Sequence, residues 1–258
     1  MYQEITAALS KPDVGIGAVA DILEHDVAMC ANILHLVNSA FFAAPRRLPD
    51  IESAVTFLGT TMLKQLVLSV EAFRTWETIG VSGLDLEALT QHGFLTANLA
   101  RRLLSNKRDA EDAFMAAMLH DIGKLVLATA CPEQMAAVSA VSTTDGRPLE
   151  VVERERLGVS HGPVGAYLLG LWGIPHPIVE AVARHDSPMN VPQQSFGILG
   201  AVYVADHLIN EQSSPSTGPV SEVQEPLDTA YLERLGVAGR IPEWRLLAQD
   251  LTSMNEAI

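Results

Sequence analysis

Residues 113–127 read AFMAAMLHDIGKLVL, an apolar stretch with a histidine and an aspartate, His120 and Asp121, at its centre. The run predicts a buried helix over about 109–128, because its apolar residues leave no solvent-facing side. A carboxylate placed inside such a helix costs several kcal/mol unless it meets a partner or a cation. The partners of Asp121 must therefore come from other parts of the chain, and the search for them organises the rest of the sequence.

Polar side chains sit on apolar stripes at several further places. Leu89, His92, Thr96, Leu99 and Leu103 step by 3, 4, 3 and 4, which puts His92 on the inward face of its helix. Ile178, Val182 and His185 share one face, and Ile198, Val202, Asp206 and Ile209 share another. His161 opens a helix after Ser160, a candidate cap. A single histidine of this kind is ordinarily a hydrogen-bonded core residue. Several together, with two aspartates among them, require one another and predict a shared polar site.

Imidazole nitrogen and carboxylate oxygen are donors for a divalent metal such as Fe, Mn, Zn or Mg rather than for a thiolate-selected one. On a continuous helix His120 and Asp121 would lie about 100° apart, and a metal would sit between them near Gly123. The ligand candidates are His92, His120, Asp121 and Asp206, with His161 and His185 as further ones.

Helical periodicity continues along the chain and strand alternation is almost absent, so the expected fold is all-α, a two-lobed helical bundle. Asp26 is placed to cap a helix whose stripe is Val27, Cys30, Leu34 and Val37. Thr60 is placed to open another, with Leu63, Leu66, Val67 and Val70 inward. Further helices are expected at about 85–104, 147–157, 161–172, 176–185, 195–210, 227–235 and 242–254. VSGLD (81–85) and NEQSSPSTGPVSEVQEP (210–226) read as loops. The first divides an N-terminal lobe, 1–80, from a second one, 81–258. TAAL (6–9) already reads as mid-helix with no cap before it, as in a fragment of a longer chain or a frayed start.

The 258 residues, 48% of them hydrophobic, can bury a sizeable core. No run of about 18 uninterrupted apolar residues and no secretory leader pattern is present, so neither a membrane span nor export is expected. Cys30 and Cys131 read as buried free thiols. The net charge of −14, from 31 acidic and 17 basic residues, argues against a nucleic-acid duplex as partner. The short basic cluster Arg101, Arg102, Lys107 and Arg108 runs into Asp109, Glu111 and Asp112 and reads as a solvated helix end. Ser39, Ser69 and Ser160 lack a nucleophile-elbow context. Asn38-Ser39 before Phe41-Phe42 reads as a helix terminus rather than a partner surface.

The order His92, His120-Asp121, His161, His185, Asp206, with MLHDIGKL (118–125), resembles the HD phosphohydrolase superfamily. HGPVGAYLL (161–169) and AVYVADHL (201–208) resemble its HD-GYP and HDOD branches. The block DVAMCANILHLVNSAFFAAPRRLPDIESAVTFLGTTMLKQLVLSV (26–70) and the segment LWGIPHPIVEAVARHDSP (171–188) resemble HDOD proteins in particular. The resemblance covers about residues 5–250. It implies a cytoplasmic, bacterial signalling output domain of the response-regulator type, joined to a sensory or receiver domain or to a protein partner. It also implies a divalent metal held by His92, His120, Asp121 and Asp206.

HDOD members typically lose part of this ligand set, whereas this chain keeps most of it. The alternative that the superfamily implies is a metal-dependent phosphohydrolase acting on a nucleotide or other phosphoester. Lys124 would then neutralise phosphate charge, and His161 and His185 would complete a second metal position or protonate the leaving oxygen. Two departures from HD-GYP weigh against cyclic-dinucleotide hydrolysis. That branch's His-His pair is Arg184-His185 here, and DSPMNVPQQ (186–194) carries no Gly-Tyr-Pro. Arg184 beside the site would leave the second metal position a ligand short and repel a dication, so at most one tightly bound metal is expected, or it would pair with phosphate or Asp186.

Overall fold

The computed structural model describes residues 7–8, 16–38, 48–79, 84–212 and 225–256. The chain is all-α, with no strand among the described residues. It divides into two compact units, residues 1–79 with the last two residues, and residues 80–256. Half of TAAL, most of both expected loops and all of the Ser39–Phe42 segment lie outside the described residues.

The first unit contains α1 (Ile16–Glu24), α2 (Val27–Val37) and α3 (Ile51–Ile79), packed on one another. Asp26 caps α2 by accepting a hydrogen bond from the Met29 amide at 3.0 Å. The inward stripe of α2 is Met29, Ile33 and Val37; Cys30 and Leu34 are only half-buried, so Met29 and Ile33 take the places expected of those two while Val37 is inward as expected. Asn38 ends this helix and bonds Leu48 through both its amide groups, donating to the carbonyl at 3.0 Å and accepting from the N–H at 2.7 Å. α3 bends at Gly59, whose φ of 74° suits a residue without Cβ, one position before the Thr60 expected to open it. Beyond the bend Leu63, Leu66, Val67 and Val70 are all buried.

The second unit comprises α4 (Leu86–Leu103), α5 (Lys107–Met118), α6 (Ile122–Ala130), α7 (Pro132–Asp145), α8 (Leu149–Leu157), α9 (His161–Leu171), α10 (His176–Arg184), α11 (Ile198–Gln212), α12 (Thr229–Arg234) and α13 (Ile241–Glu256). α11 is the central element, in contact with α4, α5, α10 and α13. Its residues 199–209 are buried on every side, which is why its sequence is apolar nearly all round. Asp85, Asn106 and Asp228 cap α4, α5 and α12 through their side chains. α7 has no counterpart among the expected helices. Its Ser- and Thr-rich sequence buries only Met135, Val138 and Ser142, a stripe too thin to read before its packing on α8 is known.

The continuous helix expected over 109–128 is two helices. α5 ends at Met118 and α6 begins at Ile122, with Leu119 (φ −113°, ψ 7°) and Asp121 (φ −94°, ψ 4°) outside helical geometry. Lys107–Ala130 has a window as hydropathic as a membrane span, yet 83% of that window is buried inside the protein. The break also removes the metal position expected near Gly123, because α9 fills that space. A Cβ on Gly123 would stand 1.9 Å from the His161 carbonyl oxygen and 2.8 Å from the Gly165 nitrogen. This backbone-to-backbone contact sets the distance between the His120-Asp121 turn and the start of α9.

Two glycines of this region should therefore respond in opposite directions. Gly123→Ala should destabilise the protein by about 3 kcal/mol or more, since backbone rather than a flexible side chain must yield. Gly170→Ala, on α9 with nothing within 4 Å and no positive φ, should stabilise it by roughly 0.5 kcal/mol through helix propensity. Urea unfolding of both variants against wild type measures the pair.

Candidate metal centre

The turn between α5 and α6 presents His120 and Asp121 to the interior of the second unit. α4 contributes His92, α9 His161, the end of α10 His185, and α11 Asp206. All six side chains are buried. Their ligand atoms form two groups, His92–His120–Asp121 and Asp121–His161–His185, in each of which the atoms lie within 4.8 Å of one another. Asp121 belongs to both. Asp206 joins the first group, its Oδ1 lying 2.9 Å from His92 Nε2 and 3.5 Å from His120 Nε2.

The protons of this cluster can be followed from the hydrogen bonds. His120 Nδ1 lies 2.6 Å from the Ala117 carbonyl oxygen and His185 Nδ1 lies 2.8 Å from that of Val182. A carbonyl only accepts, so each Nδ1 carries a proton and each neutral ring offers a lone pair at Nε2. His161 Nδ1 donates to the Glu153 carboxylate at 2.6 Å, with the same consequence. Those Nε2 atoms converge: His161 Nε2 stands 3.2 Å from His185 Nε2, and each is 3.4 Å from Asp186 Oδ2. His120 Nε2 faces Asp121 Oδ2 at 3.3 Å, and His161 Nε2 faces Asp121 Oδ1 at 3.4 Å.

Lone pairs that face carboxylates are stable only with positive charge between them, as added protons or as a metal ion. The metal-free shifts show where protons go. Burial opposes charging of His120, but Asp121 and Asp206 outweigh it and raise its pKa well above the ordinary histidine value. Burial opposes charging of His161 too, and Glu153 and Asp186 overcome it and push the pKa up to about 10. His185 moves down, because of burial first and then the positive charge on His120 and His161. Asp121 and Asp206 are held well below the usual carboxylate range despite burial, by His120, Lys124 and His161 for the former and by His120 and His92 for the latter. Asp121 Oδ1 is nevertheless a buried oxygen with no hydrogen bond. Oriented lone pairs, a carboxylate oxygen in want of a partner and donors 3–4 Å apart fit a divalent ion with ligands at about 2.0–2.3 Å.

Lys124 donates to Asp121 Oδ2 at 2.8 Å. A cavity of about 40 Å³ opens beside the centre, its wall including Lys124, His161, His185, Asp186, Asp206 and His207. Glu150 and Glu225 border it as well. Burial and the neighbouring Asp186 raise the Glu150 carboxyl. Arg184 is exposed and does not line this cavity, so the ground for expecting at most one tightly bound metal is absent. Asp186 lines it instead, with the opposite charge.

Glu153, His207 and Asn210 are not among the sequence candidates, and Asp186 stands there only as a partner for Arg184. Asn210 donates to Asp206 Oδ1 at 3.0 Å, and His207 is buried with Nδ1 on the Tyr203 carbonyl. A signal for Glu153 exists, since it follows Leu149 by four positions and so shares the buried face of α8. Asp186 follows the last turn of α10, where helical periodicity stops being informative. Ser160, the expected cap of α9, makes no side-chain capping bond.

A family model for the HDOD domain matches residues 1–188. The chain belongs to the HDOD family. An uncharacterized protein of Treponema pallidum (strain Nichols) is 27% identical over 207 residues, 80% of this chain and 40% of the relative. The HDOD chain thus spans less than half the length of that relative. Among solved structures, an HDOD domain protein of unknown function from Geobacter sulfurreducens superposes with a TM-score of 0.73 at 25% identity, covering 98% of this chain and 87% of the other. A candidate phosphohydrolase from Shewanella amazonensis superposes with a TM-score of 0.71 at 23% identity, covering 98% and 88%. At that identity the second likeness establishes the fold alone.

Metal uptake by this HDOD chain should strengthen as pH rises. His120 and His161 carry Nε2 protons at neutral pH, the latter up to about pH 10, and an ion must displace them. Mn(II) affinity measured by calorimetry should rise roughly tenfold per pH unit for each proton displaced between about pH 6 and 9, with proton release visible as a dependence on buffer ionisation enthalpy. Stability of the metal-free fold should run the other way. The raised histidines stabilise it fully below about pH 6.5 and cease to do so as pH climbs through their folded pKa values. Metal affinity that is flat across this range would contradict the assignment.

Proposed function

We propose that this chain is the output module of a bacterial, cytoplasmic signalling protein, with two divalent ions at its His/Asp centre and a phosphoester as ligand. The observation that carries the reading is the pair of ligand groups meeting at Asp121, with three Nε2 lone pairs oriented toward them. His92, His120, Asp121 and Asp206 would hold one ion, and Asp121, His161 and His185 the other, with Asp186 adjacent. Such ions supply Lewis acidity toward a phosphoryl oxygen and acidify a water.

The chain's own residues then divide the remaining work. Lys124 keeps Asp121 ionised and places a cation on the cavity wall. Glu150, Asp186 and Glu225 make the mouth acidic, so an anionic ligand is repelled until divalent charge offsets them. Ligand binding therefore depends on metal, which suits a module that reports an intracellular state. Membership of the HDOD family supports the signalling role, and its partner would be a linked sensory or receiver domain or another protein.

A second reading, a metal-dependent phosphohydrolase, is favoured by one observation: the cavity opens directly on the ligand groups, with Lys124 beside them. Its likeness in fold to a candidate phosphohydrolase is in keeping with this. The two readings part on turnover. Mn(II)-loaded wild type should bind a mononucleotide with an affinity at least about 100-fold above that of the metal-free protein or of Asp121→Ala, and should not hydrolyse cyclic dinucleotides substantially. A panel of phosphoesters assayed with Mn(II) or Fe(II) checks this. Robust turnover by wild type, abolished by Asp121→Ala, would replace the module by the hydrolase.

A further inference from the structure

Glu153 lies on α8, eight residues before His161, and is fully buried. Its Oε2 accepts two hydrogen bonds from that one residue, from ring Nδ1 at 2.6 Å and from the backbone N–H at 2.8 Å. The second bond satisfies the first amide of α9, which has no partner within the helix. The carboxylate thus ties down both the ring and the helix end that carries it. On the far side of the ring, Nε2 faces His185, Asp121 and Asp186. His120 and His185 use the same Nδ1-to-acceptor arrangement, but their acceptors are neutral backbone carbonyls. Of these three rings, His161 alone is backed by a carboxylate.

We propose that Glu153 is a positioning residue for the group Asp121–His161–His185. It holds His161 with the proton on Nδ1, fixes the ring plane, and makes Nε2 a stronger donor to a divalent ion there. The proposal rests on the two-ion reading of the centre. It predicts an asymmetry between the two positions, since the His92–His120–Asp121 group owes nothing to Glu153.

The test compares the full chain as wild type, Glu153→Gln and Glu153→Asp. Co(II) is titrated in and followed by its visible absorption, and the imidazole N–H protons are recorded in the metal-free proteins. Wild type should take up two ions. Glu153→Gln, which keeps shape and an acceptor oxygen but not charge, should retain one ion at wild-type affinity and bind the other about 10–100-fold more weakly. Glu153→Asp, which restores charge at shorter reach, should fall between them and serves also if the Gln variant does not fold. The His161 Nδ1 proton should resonate far downfield in wild type and move upfield in Glu153→Gln. Unchanged affinity at both positions, or equal loss at both, would overturn the proposal. Uptake of fewer than two ions by wild type would count against the two-ion reading itself. The Nδ1 proton then decides Glu153 separately, and a resonance indifferent to the substitution would overturn its role.

Discussion

The Asp121 carboxylate, buried at the break between α5 and α6, is the constraint on which the centre depends. A buried anion costs several kcal/mol without compensation, and here compensation comes from every neighbouring element. Lys124 reaches it from the next turn, His120 from the preceding residue, and His161 and His185 from α9 and the end of α10. Because its two oxygens face different groups, it joins two ligand clusters that would otherwise be separate. The helix break is what permits this, since a continuous helix would direct His120 and Asp121 along divergent vectors.

Around that anion the molecule has arranged a layer of residues whose work is orientation. Backbone carbonyls of Ala117 and Val182 and the Glu153 carboxylate take the Nδ1 protons, and Asn210 takes one position on Asp206. Such outer contacts fix tautomers and ring planes, which is what a metal-binding centre requires and what a set of unrelated core histidines would not share. The close contact of Gly123 with the His161 backbone serves the same end, by setting how near α9 can come. The opposite shifts of His161 and His185 follow from one shared space. Two lone pairs 3.2 Å apart hold one proton more readily than two.

The acidic cavity mouth adds a condition on ligands. Glu150, Asp186 and Glu225 surround an opening in which Lys124 is already engaged with Asp121. On the proposed reading, a phosphate group would need divalent cations to offset this negative charge. The overall charge of −14 has a local counterpart at the mouth of this cavity.

The sequence by itself determined that the chain is helical and that His92, His120, Asp121, His185 and Asp206 stand out on apolar faces, with His161 at the start of a helix. Both follow from local periodicity, because a buried face repeats every three or four residues whatever it packs against. Only the tertiary structure decided how these residues pair. The break at 119–121 depends on α9 packing against α6 through Gly123, a contact between residues about 40 positions apart that no local pattern encodes. α7 is held by α8, so its thin apolar stripe carried too little signal alone. Arg184, expected beside the site, is exposed, and Asp186 lines the cavity, because past the end of α10 helical periodicity no longer says which side chain turns inward. Glu153 is one of five charged residues in the segment Glu150–Leu157, and the other four give no sign that it is the one turned inward. Its burial follows from the ring that it supports, and that partnership exists only once α8 and α9 have folded together.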